Sequence, residues 1–261
     1  MNASNPSKLE VHMIPCLEDN YGYLVHDADS GFTATIDTPE VEPILRALEE
    51  RSWQLTHILN THHHFDHAGG NLELKEKTDC IIVGARKDAH RIPGIDIQMG
   101  NDDLYFFGQH EMTILETPGH TSGHVIYYFA ESEMVFVGDT LFALGCGRLF
   151  EGSAEDMWTS LQRLAELPDT TLVYCAHEYT ATNAKFARTI DPDNNDLRVR
   201  SKEIDKLRSK NKPTIPTTIG MEKRTNPFLR AADIDVRKNV DLMDASDAEV
   251  FAEIRSRKDR F

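Results

Sequence analysis

At 261 residues the chain has the length of one large domain, or of a domain with a smaller companion, and can bury a core without staples. Its 40% hydrophobic and 27% charged content suits an ordinary globular protein, and a formal net charge of −15 argues against nucleic acid, which needs clustered Lys and Arg. Cys16, Cys80, Cys146 and Cys175 lie far apart without a C-x-x-C pair, and the start of the chain (1–9) is polar. No apolar run approaches the roughly 18 residues of a membrane span, so reduced thiols, no membrane partner and a cytoplasmic location are expected.

In chain order, strands are predicted over 9–15, 21–26 and 33–37, the last two separated by Asp29-Ser30-Gly31. Val41, Ile44, Leu45 and Leu48 carry helical periodicity through 40–53, with Asp37-Thr38-Pro39 as its start signal. A short strand over 56–60 then runs into Thr61-His62-His63-His64-Phe65-Asp66-His67, ahead of Gly69-Gly70 and a helix from Asn71. Residues 80–83 read as strand, while 86–103 are irregular and polar. Strands are expected over 112–116, 125–129 and 134–137, a helix from Ser153 as N-cap to Leu167, and a strand over 171–175. Past 178 strands stop, and helices over 181–190, 196–210 and 246–260 flank the proline-containing stretch 212–227. The expected division is a body over 1–178 and a helical domain over 179–261.

The histidine run is the strongest chemical signal. Imidazole nitrogen and carboxylate oxygen are ligands for borderline divalent metals, and His62 and His64, two apart on extended backbone, point the same way. Asp66 and His67 follow one turn later, and two ligand pairs so close together suggest two metals. His120, Asp139 and His177 each occupy the loop just past a predicted strand, where loops at one sheet edge can converge. Seven ligands exceed one tetrahedral zinc but suit two ions if Asp139 bridges them. His12, His26, His90 and His110 lack neighbouring ligand types and read as surface residues. His57 reads as structural, His63 as pointing away from the ligands, and His124 as supporting the site without ligating.

Together these blocks resemble the metallo-β-lactamase superfamily. Within it, Asp19-Asn20-Tyr21-Gly22-Tyr23, the run Gly145-Cys146-Gly147-Arg148-Leu149-Phe150-Glu151-Gly152, His177-Glu178-Tyr179 and Asn226-Pro227-Phe228-Leu229-Arg230 resemble the glyoxalase II family of hydroxyacylglutathione hydrolases. The similarity covers nearly the whole chain. It implies an α/β (α+β) fold: a four-layer αββα sandwich followed by a C-terminal α-helical substrate-binding domain. It further implies hydrolysis of S-D-lactoylglutathione to glutathione and D-lactate, the second step of methylglyoxal detoxification. By the same resemblance His62, His64 and His120 hold one metal and Asp66, His67 and His177 the other, with Asp139 bridging. Zinc is expected, with iron or manganese as alternatives. Asp66 and Asp139 are the expected catalytic residues. A thiol leaving group has a pKa near about 8.5, so no separate general acid is expected.

Glutathione carries two carboxylates, so an acidic protein needs local cations to hold it. The resemblance points to Arg148, Arg255 and Lys258, with Tyr179 and Asn183 as hydrogen-bonding partners. Arg255 and Lys258 share a helix face, whereas Arg257 looks elsewhere. Some relatives have lysine where Arg148 stands and tyrosine where Phe150 stands; arginine's planar fork binds carboxylate differently. Alternatives are another thioesterase or lactonase of the same fold, or a mononuclear-iron persulfide dioxygenase; the cationic tail argues against the first two. Nothing suggests an obligate interface, so a monomer acting on a small-molecule glutathione thioester is expected.

Overall fold

The computed structural model describes residues 8–261, so the polar opening over 1–7, expected to lack a signal core, lies outside the described residues. The chain divides into two compact units, one formed by the chain up to Glu116 with Gly123–Phe136, the other by Thr117–Ser122 with Val137–Phe261.

The first unit opens with β1 (Glu10–Cys16), β2 (Asn20–Asp27) and β3 (Phe32–Ile36), an antiparallel meander in which Tyr23, Leu24 and Val25 are buried. Helix α1 (Val41–Arg51) buries Ile44, Ala47 and Leu48 at three- and four-residue spacing and ends at Ser52, whose φ of 56° breaks the helix. It leads to β4 (His57–Leu59), parallel to β3 on one side and to β5 (Ile81–Ala85) on the other. Between β4 and β5 lie α2 (Phe65–Ala68) and α3 (Asn71–Thr78). A central parallel strand is covered on both faces, which is why Ile58 and Leu59 carry no exposure and no polar alternation. Strand β6 (Ile97–Met99) closes the six-stranded order β1-β2-β3-β4-β5-β6. Residues 86–103, unassigned from sequence, thus hold a 3₁₀ turn at Arg86–Asp88 and this edge strand.

A second six-stranded sheet has the order β14-β13-β10-β9-β8-β7. Its strands β7 (Leu104–Phe107), β8 (His110–Glu116), β9 (Val125–Phe129) and β10 (Met134–Gly138) pair antiparallel in succession. The unpredicted β7 is an edge strand exposing Leu104 and Phe106 while burying Phe107, so apolar residues stand on both of its faces and no polar alternation marks it.

Beyond β10 come the two-residue strands β11 (Leu141–Phe142) and β12 (Gly145–Cys146), which pair with each other, and then α4 (Ala154–Ala165). Helix α4 opens with the expected serine cap. Asp156 N–H donates to Ser153 Oγ at 3.1 Å, and Ser153 N–H donates to Asp156 Oδ2 at 2.8 Å. Strand β13 (Leu172–Cys175) precedes α5 (Thr180–Ile190) and α6 (Asn195–Arg208). The expectation that strands stop at 178 needs correction: β14 (Thr217–Thr218) pairs antiparallel with β13. The proline-containing stretch then continues into α7 (Ile219–Thr225), followed by α8 (Ile234–Asn239) and α9 (Asp247–Asp259). Among the described residues no helix is long and apolar enough to cross a membrane.

Candidate metal centre

The residues whose donor atoms could hold a metal ion are His62, His64, Asp66 and His67 in the first unit, and His120, Asp139 and His177 in the second.

In the first unit they follow the C-terminal end of β4, where open α/β sheets place their ligands. A buried amide network pins this loop. Asn60 Nδ2 donates to the His67 carbonyl at 2.9 Å, and Asn71 Nδ2 donates to Asn60 Oδ1 at 2.7 Å. Asp37, at φ 58°, accepts from Thr61 N–H and Thr61 Oγ1–H, both at 2.8 Å, and from His67 Nδ1 at 2.8 Å. That backbone conformation is costly for a non-glycine residue and aims the carboxylate under the loop.

Proton bookkeeping fixes the ring tautomers. Asp37 accepts only, so His67 carries its proton on Nδ1 and a lone pair on Nε2. The hydrogen of Thr61 Oγ1 goes to Asp37, so His62 Nδ1, 3.1 Å away, is the donor to Thr61, and its lone pair also lies on Nε2. This Nε2 sits 3.0 Å from His64 Nδ1. Asp66 Oδ2 lies 3.5 Å from His67 Nε2 and accepts from Asn20 Nδ2 at 3.2 Å. His124, buried, stacks on His62 with ring centroids 4.9 Å apart. His63 turns to Asp88 Oδ2 at 3.0 Å, and Asp88 in turn accepts from Arg91.

In the second unit Asp139 stands between two histidines: its Oδ2 is 3.3 Å from His120 Nε2 and its Oδ1 is 3.4 Å from His177 Nε2. His120 Nδ1 donates to the Arg148 carbonyl at 2.9 Å, which again leaves the lone pair on Nε2. A methyl group on Gly147 would come within 2.0 Å of the Asp139 carbonyl oxygen, so only glycine lets the Arg148 loop approach so closely.

These pairings test the fit of a cation. In both units a histidine lone pair faces an acceptor-only carboxylate, an arrangement that repels until positive charge lies between them. The His and Asp clusters therefore fit a divalent metal centre, with Asp37, Thr61 and the Arg148 carbonyl orienting the ligand rings. Asp37→Ala is expected to weaken metal affinity by about 10–100-fold while leaving every ligand in place, as read by metal content after graded chelation. Unchanged retention would mean that the loop network alone orients the rings.

Tyr179, 38% exposed, stacks on His177 with centroids 4.8 Å apart. Asn183 is buried and donates to the Ala143 carbonyl at 3.1 Å, securing the β11–β12 turn. Arg255 is buried too; its guanidinium donates to the Cys146 carbonyl at 3.0 Å and to Asp259 Oδ1 at 2.8 Å. Arg148 and Phe150 are exposed. Lys258 lies over the rings of Phe186 and Phe261, and burial, followed by the charges of Arg255 and Arg148, pushes its amine down to about 8. Arg257 looks elsewhere, to Glu253 and the carbonyls of Asn239 and Val240.

His110 corrects the surface reading: it is 3% exposed, with Nε2 3.7 Å from Asp27 Oδ1. Its place at the start of β8 leaves no local mark of burial. Sequence reasoning also missed Asp37 and Asn20 as supports of the site. Asn20 lies in the quoted Asp19–Tyr23 run, but Asp37 carries only the signal of a helix start.

Residues 29–177 match the metallo-beta-lactamase superfamily, and residues 178–261 match the hydroxyacylglutathione hydrolase C-terminus. The chain is 55% identical to a hydroxyacylglutathione hydrolase of Rhizobium johnstonii, covering 97% of this chain and 99% of that protein. Among solved structures it is similar to ETHE1 from Myxococcus xanthus (28% identity, TM-score 0.68, 95% of this chain and 90% of that one). It is also similar to a di-iron-bound form of TTHA1623 (26% identity, TM-score 0.58, 87% and 100%). The fold is thus that of the metallo-β-lactamases with a C-terminal helical region, and the chain belongs to the hydroxyacylglutathione hydrolase family within that superfamily.

Proposed function

We propose that this protein hydrolyses S-(2-hydroxyacyl)glutathione thioesters, S-D-lactoylglutathione in particular, to glutathione and the free hydroxy acid. Full-length relatives carrying the name hydroxyacylglutathione hydrolase support the reaction. The observation that carries the substrate is the cation cluster of the second unit. In a chain of net charge −15, the half-buried Lys258 amine is lowered first by burial and then by the nearby charges of Arg255 and Arg148, with Asp259 acting the other way. Arg255 already pairs with Asp259, so Arg148 and Lys258 are the cations left to meet an added anion, and glutathione brings two carboxylates.

In this reading His62, His64 and His120 would hold one divalent ion and Asp66, His67 and His177 a second, with Asp139 as a ligand shared by both. Zinc is our first choice for both, with iron or manganese as alternatives. Bound there, the ions polarise the thioester carbonyl and supply an acidified water at neutral pH. Asp66 and Asp139 are the site's carboxylates and would be the groups able to take up a proton there. Asn20 keeps Asp66 aimed, and Asp37 keeps the His62 and His67 lone pairs directed away from the core. Exposed Arg148 and half-buried Lys258 take the glutathione carboxylates. Arg255 adds its charge and ties the Cys146 carbonyl, Asn183 holds the adjoining turn, and Tyr179 offers its hydroxyl. Residues 179–261 act as the substrate-binding domain of a monomer that works in the cytoplasm.

The test is loss of thioester absorbance when metal-loaded enzyme meets S-D-lactoylglutathione. Turnover there with none on a lactone supports the reading; no turnover with full metal content overturns the substrate.

A pH prediction follows from Lys258. Its amine is charged below about 8 and neutral above, short of the ordinary lysine value near 10.5. KM for the glutathione thioester should therefore rise as pH passes through about 8, while Lys258→Met should show a raised KM with no rise across that range. In stability the sign is opposite. The unfolded chain holds the proton more tightly, so the penalty for burying this ammonium is relieved as pH climbs from about 8 toward 10.5.

A further inference from the structure

The start of β4, at the end of the strand away from the histidine loop, borders a cavity of about 760 Å³. Phe32, Leu45, Trp53, His57, Ile81 and Tyr105 line it, all within the first unit. Its volume falls within the roughly 300–1,000 Å³ of small-molecule sites, and its wall is largely aromatic and aliphatic with a few convergent polar groups.

Those polar groups have a fixed direction. Thr56 Oγ1 spends its only hydrogen on the Thr33 carbonyl at 2.9 Å and accepts the Thr33 N–H at 3.0 Å. His57 Nδ1, 2.8 Å from Thr56 Oγ1, must therefore be the donor in that pair. Its Nε2 is then an acceptor, and the Tyr105 hydroxyl at 2.9 Å donates to it. Burial pushes the His57 pKa down to about 4, and the ring lies 5.1 Å from Phe32 and 5.3 Å from Phe107, so the neutral tautomer persists at physiological pH. The relay ends at the Tyr105 oxygen, whose proton is committed and whose lone pairs make it an acceptor. Charge selects neither sign: Lys77 and Asp79 contribute one of each, and Lys77 is already paired with Glu73 at 3.0 Å.

We propose that this cavity binds a neutral, planar aromatic molecule with one N–H or O–H donor, which meets the hydroxyl oxygen of Tyr105. The site stands apart from the proposed metal centre and does not depend on that reading.

The test uses phenol and its donor-free analogue anisole, each titrated into the full-length protein and followed by backbone amide shifts. Phenol should give saturable shifts at Leu55, Thr56, His57 and Tyr105, and anisole should bind about 5-fold or more weakly, the value of one net hydrogen bond. Tyr105→Phe should bring phenol down to the affinity of anisole, and Leu45→Trp, which fills the cavity, should abolish both. Absence of saturable shifts, equal binding of the two probes by the wild type, or binding that survives Leu45→Trp would overturn the proposal. The wild-type comparison decides even if a variant does not fold. Thioester hydrolysis should be unchanged in both variants, since neither residue belongs to the reacting site.

Discussion

Asp139→Ala should lower kcat on S-D-lactoylglutathione by about 10³-fold or more and leave protein that no longer retains two metal equivalents. The residue is 7% exposed, and each of its carboxylate oxygens faces a different imidazole nitrogen, His120 through Oδ2 and His177 through Oδ1. No other carboxylate of the second unit stands in that position. Divalent ions contribute several kcal/mol of charge stabilisation to such a reaction, and each ~1.4 kcal/mol is tenfold in rate, which sets the scale of the loss. The effect should exceed that of Asp37→Ala, which disturbs only the orientation of ligands that remain. Asp139→Asn separates shape from charge: it fills the same space but offers one oxygen and an amide donor, so it should fold normally and still fail. Full metal retention with near wild-type kcat in either variant would remove Asp139 from the centre.

The largest loss of stability is expected from Glu222→Ala. Glu222 is buried and pairs with Arg200, itself 7% exposed. The same carboxylate accepts from Thr217 Oγ1 at 2.7 Å, the Leu144 N–H at 2.9 Å and Asn226 Nδ2 at 3.0 Å. Removing it strands a buried guanidinium and leaves the Thr217 hydroxyl and the Leu144 N–H without their acceptor, while Asn226 keeps the Phe142 and Gly145 carbonyls, at a cost of about 3–5 kcal/mol. At roughly 2–4 °C per kcal/mol for a chain of this size, Tm should fall by about 10 °C. Since Leu144 lies in the turn between β11 and β12, hydrolysis should also become more heat-sensitive than in the wild type. A calorimetric shift of less than about 2 °C would show that water reaches Arg200 once the carboxylate is gone.

Much of this molecule is written locally. The period of Ile44, Ala47 and Leu48, the Ser153 and Ser246 capping boxes, and the run of β-branched and aromatic residues in β9 each depend on residues within a few positions of one another. Elements of that kind were placed correctly to within a few residues. The seven candidate ligands were legible for a related reason: His and Asp are conspicuous when they follow a strand directly, and such loops lie at sheet ends by geometry. The family resemblance rested on motifs of the same local character.

Other features were hidden because they rest on partners far away in sequence. Asp37 supports the histidine loop across 24 and 30 residues, at a backbone angle that its neighbours do not announce. His110 is buried because β8 turns it inward beside Asp27, although its flanking residues are polar. No strand is expected in the proline-containing stretch over 212–227, yet β14 pairs with β13, and α7 carries the carboxylate that neutralises Arg200. The relay from Thr33 to Tyr105 joins three separate strands and the residue preceding one of them. Periodicity and caps report what a segment can form alone. Burial, tautomer and charge pairing arise only when distant segments exclude water together, so those properties belong to the folded chain.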